Sequence, residues 1–220
     1  MNCIEYQSHT PLNNSIRTAD EFSTKLPVTD LNPHPFGVLY SNLHRYKRRV
    51  KEYQKSLKNH ILTSRFNNAT WEENQRFVAR NDKVGCVYCS PSPLSKTIPT
   101  DMKVFILEMN NDTNQIMGIG LVNNHPKIQK YNVYSNDNYN RYSFIGKHRI
   151  DRNDMTEEEE KVMKVFDILC FKGNKHMKRG QGLKLFPVEL LFNIKSHMAH
   201  MDLVNYVKEM FKSRIEKNSG

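Results

Sequence analysis

Long apolar runs are missing from this chain. No stretch approaches the roughly 18 consecutive apolar residues that a membrane-spanning helix needs, and hydrophobic residues fill only 38% of the 220 positions. No membrane partner is expected. Cysteine is scarce too: Cys3, Cys86, Cys89 and Cys170 are too few and too scattered for a disulfide scaffold. The opening residues MNCIEYQSHTPLNNS lack the apolar segment of a secretory signal. Together these absences predict an intracellular protein, cytoplasmic or nuclear, with reduced thiols. Three catalytic or nucleotide fingerprints are also missing: GxSxG, GxGxxG and GxxxxGK[ST].

Acid is the scarcer charge. Asp and Glu number 23 against 33 Lys and Arg, a formal net charge of +10. Part of the Lys load follows from an Asn- and Lys-rich composition, with 24 Asn and 21 Lys, both encoded by AT-rich codons. Composition does not account for the clustering. Ser41 to Arg65 holds eight basic residues and the single acid Glu52, and Cys170 to Lys184 holds five basic residues and no acid. A localised positive surface favours a polyanion.

Residues 1–36 contain Pro11, Pro27, Pro33 and Pro35 and no sustained apolar period, so a flexible N-terminal arm is expected there. A single α+β domain is expected over 37–220. In the segment 43–62, Leu43, Tyr46, Val50, Tyr53, Leu57 and Ile61 recur three or four apart. This spacing predicts a helix with a narrow apolar seam and a broad cationic face. Thr70 and Glu73 fit a capping box, as do Thr156 and Glu159. Between these two helix starts, Val84–Cys89, Lys103–Met109, Gln115–Val122, Lys130–Tyr134 and Arg141–Ile150 read as five short strands. The expectation is a small antiparallel β-barrel, its core spanning about 75–186. Helices opened by Pro187 and Asp202 should follow over about 187–217.

Two segments carry the candidate chemistry. On the basic helix, Arg45, Arg48, Arg49, Lys51, Lys55 and Lys58 are placed to track phosphates. In the Gly-punctuated segment KGNKHMKRGQGLK, the glycines allow close backbone approach while Lys175, Lys178, Arg179 and Lys184 supply charge. Tyr134 and Tyr142 are candidate stacking residues. The Cys86–Cys89 pair has the CxxC spacing of half a zinc site, but no second half exists, and residues three apart on a strand face opposite ways. His197 and His200 lack the Glu of HExxH. No metal and no cofactor are expected. Gly118-Ile119-Gly120 inside a strand implies close packing or a bulge. Glu108, in an otherwise apolar strand, is a candidate buried carboxylate that pairs with a cation of a neighbouring strand.

The order NDKVGCVYC, KVFILEM, turn, IMGIGLV resembles the PUA-like barrels, the group that includes ASCH, EVE and YTH domains. The resemblance covers about residues 75–186 and implies a closed barrel that binds RNA or modified bases; the GxKxxE motif of ASCH domains is absent. The Asn/Lys-rich composition resembles that of proteins of large AT-rich DNA viruses. The leading expectation is therefore a nucleic-acid-binding protein, with RNA or single-stranded nucleic acid as partner, acting through the basic helix and the glycine-rich loop. Two alternatives stand beside it: a nucleic-acid-processing enzyme on the same surface using Glu108, and a virion or structural protein with a basic interaction face.

Overall fold

The computed structural model describes residues 36–127, 130–198 and 201–217. The arm expected over 1–36 lies outside them, except for Phe36. Helix α1 (Phe36–Ser56) is followed by β1 (His60–Phe66), α2 (Asn68–Ala79), β2 (Cys86–Ser90), β3 (Lys103–Asn110) and β4 (Gln115–Asn123). Then come β5 (Tyr142–Gly146), β6 (His148–Asp151), α3 (Glu157–Phe171), β7 (Lys184–Leu185), α4 (Val188–His197) and α5 (Leu203–Lys217). Among the described residues no helix is long and apolar enough to cross a membrane.

The expected closed barrel is absent. Five strands form one open mixed sheet in the order β6-β4-β3-β1-β7, and β2 pairs only with β5 in a second sheet. The difference arises at residues 60–66. Sequence periodicity assigns Ile61 to the basic helix, but the helix stops at Ser56, whose hydroxyl donates to the Tyr53 carbonyl. Residues His60–Phe66 then extend as a nearly fully buried strand that pairs parallel with β3 and antiparallel with β7. Because β1 sits inside the sheet, closure would have to come from the two edges. These are the four-residue β6 and the two-residue β7, which do not meet. Lys130–Tyr134 is not a strand among its described residues.

The main sheet is covered on both faces, which explains why KVFILEM is continuously apolar. Phe105, Leu107 and Met109 of β3, with Ile119 and Leu121 of β4, pack against α3, α4 and α5. Val104 and Ile106 turn the other way, toward Val87, Tyr88 and Phe144 of the small sheet and Trp71 and Phe77 of α2. A bulge in β4 pairs Leu107 with Ile119 but Met109 with Ile116, so Ile116 returns to the helical face. The helix α1 seam also packs on this face. Tyr46, Val50, Tyr53 and Leu57 contact the cluster, whereas Leu43 is 48% exposed.

Glu108 shares the small-sheet face of β3 and is 1% exposed. Its carboxylate accepts from the Tyr88 hydroxyl at 2.6 Å and from Nε and Nη2 of Arg149, the latter at 2.8 Å. Arg149 lies on β6, so its side chain must cross β4 to reach β3. The glycines at 118 and 120 make this crossing possible. A Cβ on Gly118 would lie 2.8 Å from both Arg149 Nη2 and Glu108 Oε2, and one on Gly120 would lie 1.9 Å from the Tyr88 hydroxyl. Arg149 also binds Asp151, and its guanidinium carbon sits 5.5 Å from the centre of the Trp71 ring.

Removing one member of a buried ion pair leaves the other charge unpaired, at a cost of about 3–5 kcal/mol. Glu108→Gln and Arg149→Met should each lower unfolding free energy by about that amount in urea titrations. Gly120→Ala should be comparably destabilising, because its methyl would displace the Tyr88 hydroxyl. Wild-type stability in either glutamate or glycine variant would show that the network contributes nothing.

Candidate functional site

A crevice opens where the parallel strands β1 and β3 end. In open α/β sheets this is the position where ligands bind, outside the carboxyl ends of the strands. The crevice encloses about 340 Å³. Ser64, Phe66, Cys89 and Tyr134 form its floor, the first turns of α2 one wall, residues 135–139 a second, and Gly180–Gly182 a third, with Arg65 and Asn111 between.

Each wall is fixed by local chemistry. Asn67 caps α2: its side chain accepts from the Thr70 N–H while the Thr70 hydroxyl accepts from the Asn67 N–H. The capping box therefore lies three residues upstream of the Thr70–Glu73 box expected from sequence. Asp112 accepts from the Asn68 N–H, so an internal carboxylate already faces the positive end of this helix. Glu73, freed from capping, accepts from the Ser135 N–H. Asn140, 1% exposed, closes the 133–140 segment on itself by accepting from the Val133 and Tyr134 N–H groups and donating to the Tyr134 carbonyl.

The third wall is the glycine-rich loop. Gly180 and Gly182 have φ of +113° and +64°, values that L side chains rarely adopt. The loop is tied to the β3–β4 hairpin, where Lys178 Nζ donates to Asn114 and the Lys178 carbonyl accepts from Asn111. Arg65 holds it from the other side, donating from Nε to the Met177 carbonyl and from Nη1 to the Gly182 carbonyl.

Arg65 is the unusual group. It is half-buried, and among the described residues no carboxylate lies within ion-pair distance of it. Burial pulls its pKa down from the ordinary arginine value, because the charge is desolvated without an acid beside it. A Cβ placed on Gly180 would lie 3.9 Å from both Arg65 Cζ and Lys184 Cε. A methyl there would make ordinary van der Waals contact with both side chains, so the two cationic side chains converge on Gly180.

Helix α1 precedes the first residue of β1, and the glycine-rich loop is anchored beside the strand's last residues. On α1, Arg49 lies 5.3 Å from the centre of the Phe192 ring and Arg48 pairs with Glu52, while Arg45, Lys51 and Lys55 are exposed, as is Lys58 just beyond the helix end. On the loop, Lys175, Arg179 and Lys184 are exposed. Tyr134 is buried, accepts a hydrogen bond from Asn74 and contributes to the crevice floor. Tyr142 is half-buried opposite Ser90 and does not line the crevice.

Glu108, on which the enzyme alternative rested, is sealed between Tyr88 and Arg149 and reaches no crevice. Cys86 and Cys89 are both buried in β2. Cys86 Sγ lies against the His148 carbonyl and Cys89 Sγ against the Ser143 hydroxyl. Among the described residues no three His, Cys, Asp or Glu side chains are grouped to hold a metal, and His200 lies outside the described residues. Sequence reasoning missed Arg65, Ser64 and Asn67 as crevice residues. The available signal was the polar-ended apolar run HILTSRF followed by Asn67, which reads as a strand leading into a helix cap once it is separated from the basic helix.

Comparison of the chain with protein-family models, with curated proteins and with solved structures found no match.

Burial pushes the Cys86 thiol up to about 12 and the Cys89 thiol to about 11, and raises that of Cys170 as well. In the folded protein at pH 8 these three should resist iodoacetamide and react only after unfolding, as read by peptide mass spectrometry. Rapid native-state labelling of Cys86 or Cys89 would contradict the buried assignment.

Proposed function

We propose that this protein binds single-stranded nucleic acid, with a phosphate seated over Gly180 between Arg65 and Lys184. The observation that carries the reading is the half-buried Arg65 guanidinium, held among the described residues by backbone carbonyls and converging with Lys184 on Gly180. An uncompensated cation of this kind is stabilised by an incoming anion, and charge-assisted bonds to phosphate oxygens are stronger than bonds between neutral groups. The half-buried Tyr139, which also lines the crevice, offers an aromatic face for a base. The exposed Arg179 and Lys184 flank the loop segment Gly180–Gly182 in sequence and add charge beside the crevice. The exposed cations of α1 strengthen nucleic-acid binding through nonspecific attraction.

Each phosphate neutralised on a single strand contributes about −0.7 to the slope of log K against log salt. With two to four contacts, fluorescence anisotropy on short RNA and DNA oligonucleotides should give a slope of roughly −1.5 to −3. Replacing Arg179 and Lys184 together with Gln should flatten it by about 1.4. Replacing Arg45, Lys51 and Lys55 should weaken binding less than the loop variant does. Absence of binding at low salt would overturn the proposal, and loss of binding only in the α1 variant would move the site to that helix.

A further inference from the structure

Tyr53 sits on the apolar seam of α1, one turn before the helix stops at Ser56. Its ring centre lies 5.8 Å from that of Phe192, and Lys195, one turn further along α4, places Nζ 5.2 Å from the Tyr53 ring centre. The residue is 8% exposed, yet its buried hydroxyl has no hydrogen-bond partner. The buried hydroxyls of Tyr88 and Tyr134 are both bonded, one to Glu108 and the other to Asn74. Burial, and then the nearby Asp202 carboxylate, push the Tyr53 pKa up to about 12, so the group remains a proton donor at neutral pH. A buried donor left without an acceptor is destabilising.

Tyr53 lines a second pocket, of about 230 Å³, together with residues from the end of α1, from α4 and from the start of α5. Three lysines line it: Lys58 from the link between α1 and β1, Lys195 from α4 and Lys208 from α5. Asp202 is the one acid in the lining, and both of its oxygens are engaged. Oδ2 accepts from Lys195 Nζ at 2.7 Å, and Oδ1 accepts from the Asn205 N–H at 3.1 Å. Lys208 lies 3.4 Å from the exposed Glu209, a pair that solvent weakens. Three cations against one acid leave the lining net positive, beside an unsatisfied proton donor.

We propose that this pocket binds a dianionic phosphate group, free or as a monoester on a small molecule, with Lys58, Lys195 and Lys208 supplying charge and the Tyr53 hydroxyl donating to one oxygen. The site shares no lining residue with the crevice between β1 and β3. A phosphate monoester carries about −1.5 to −2 charges and three strong acceptor oxygens, which suits several cations and one hydroxyl at once. A carboxylate or a phosphodiester brings a single charge. Ammonium groups act as compact point charges with rotatable donors, so three of them close around a tetrahedral anion without the planar match that a guanidinium needs. At about 230 Å³ the pocket is below the roughly 300 Å³ of ordinary small-molecule sites, so it fits a phosphate and a few attached atoms. The Tyr53 oxygen is buried, and the anion reaches it as the half-exposed Lys195 swings from over the ring toward the phosphate.

The test is calorimetric titration of the full chain, in chloride buffer of fixed ionic strength, with inorganic phosphate, glycerol phosphate and dimethyl phosphate. The first two should bind saturably at one site, and the diester about tenfold or more weakly, the difference expected for one charge-assisted contact. Tighter binding of inorganic phosphate would identify the free ion as the ligand, and tighter binding of glycerol phosphate a monoester. Joint replacement of the exposed Lys58 and Lys208 by Gln should weaken binding at least tenfold without lowering the unfolding temperature in chloride. Tyr53→Phe should unfold in chloride at or above the wild-type temperature, because it removes an unpaired hydroxyl, yet bind phosphate about tenfold or more weakly. Added phosphate should therefore raise the unfolding temperature of wild type more than that of Tyr53→Phe. No saturable binding of either dianion, or equal affinity for the diester, would overturn the proposal. So would undiminished phosphate affinity in Tyr53→Phe. A Tyr53→Phe protein less stable than wild type in chloride would show that the hydroxyl already has a partner, and would overturn its role as the waiting donor.

Discussion

Burying the Glu108 carboxylate at 1% exposure is tolerable only because Arg149 and Tyr88 reach it, and much of the small-sheet layer is arranged around that requirement. Arg149 approaches from a strand two positions away, so the intervening strand must carry no side chain at 118 and 120. The Tyr88 hydroxyl occupies the space over Gly120, which sets how closely β2 and its partner β5 approach the main sheet. Trp71 covers the guanidinium and brings α2 down beside Phe66 at the end of β1. Asn74 of the same helix bonds the Val87 carbonyl and the Tyr134 hydroxyl, fixing β2 and the 133–140 segment together. The crevice walls are thus positioned by a chain of contacts that starts at one buried acid.

The treatment of other arginines makes Arg65 informative. Arg149, Arg152 and Arg214 have side chains 14%, 9% and 29% exposed, and each is met by carboxylates. Arg152 joins Glu160 and Asp167 and so fastens α3 to β4, where Asp167 also accepts from the Ile116 N–H. Arg214 grips Glu159 with two bonds and fastens α5 to the start of α3, and those bonds hold the Glu159 carboxyl below the ordinary glutamate value. In these three, a guanidinium that joins elements is accompanied by an acid. Arg65 has carbonyls instead, and it stands at a crevice beside a second cation. A desolvated guanidinium with no acid beside it among the described residues is what marks this crevice as the candidate site.

Local chemistry was legible in the sequence wherever a few neighbouring residues decide the outcome. Thr156 and Glu159 form their capping box, Asp202 accepts from the Asn205 N–H, and Asn110–Asn114 turns the β3–β4 hairpin. Glu108 was readable as a lone acid in an apolar strand, and the glycine pair as a place of close approach. What could not be read is where strands pair over distance. The run HILTSRF continues the helical spacing of α1 by one position, at Ile61, and nothing local shows that it inserts between β3 and β7. Missing that insertion turned an open sheet into an expected barrel, and it hid Arg65 among the charges of a helix. The cap of α2 moved for a similar reason: Asn67 competes successfully for the Thr70 N–H once β1 ends at Phe66.

The central claim is that Arg65, not the more numerous arginines of α1, meets the ligand anion. The most direct measurement follows the side-chain Nε–Hε signals of the arginines by NMR while a single-stranded oligonucleotide is added. The account predicts a progressive, saturable shift of the Arg65 signal, with those of Arg149, Arg152 and Arg214 unmoved because their carboxylates stay in place. A saturable shift confined to Arg45, Arg48 and Arg49, with Arg65 unchanged, would contradict it.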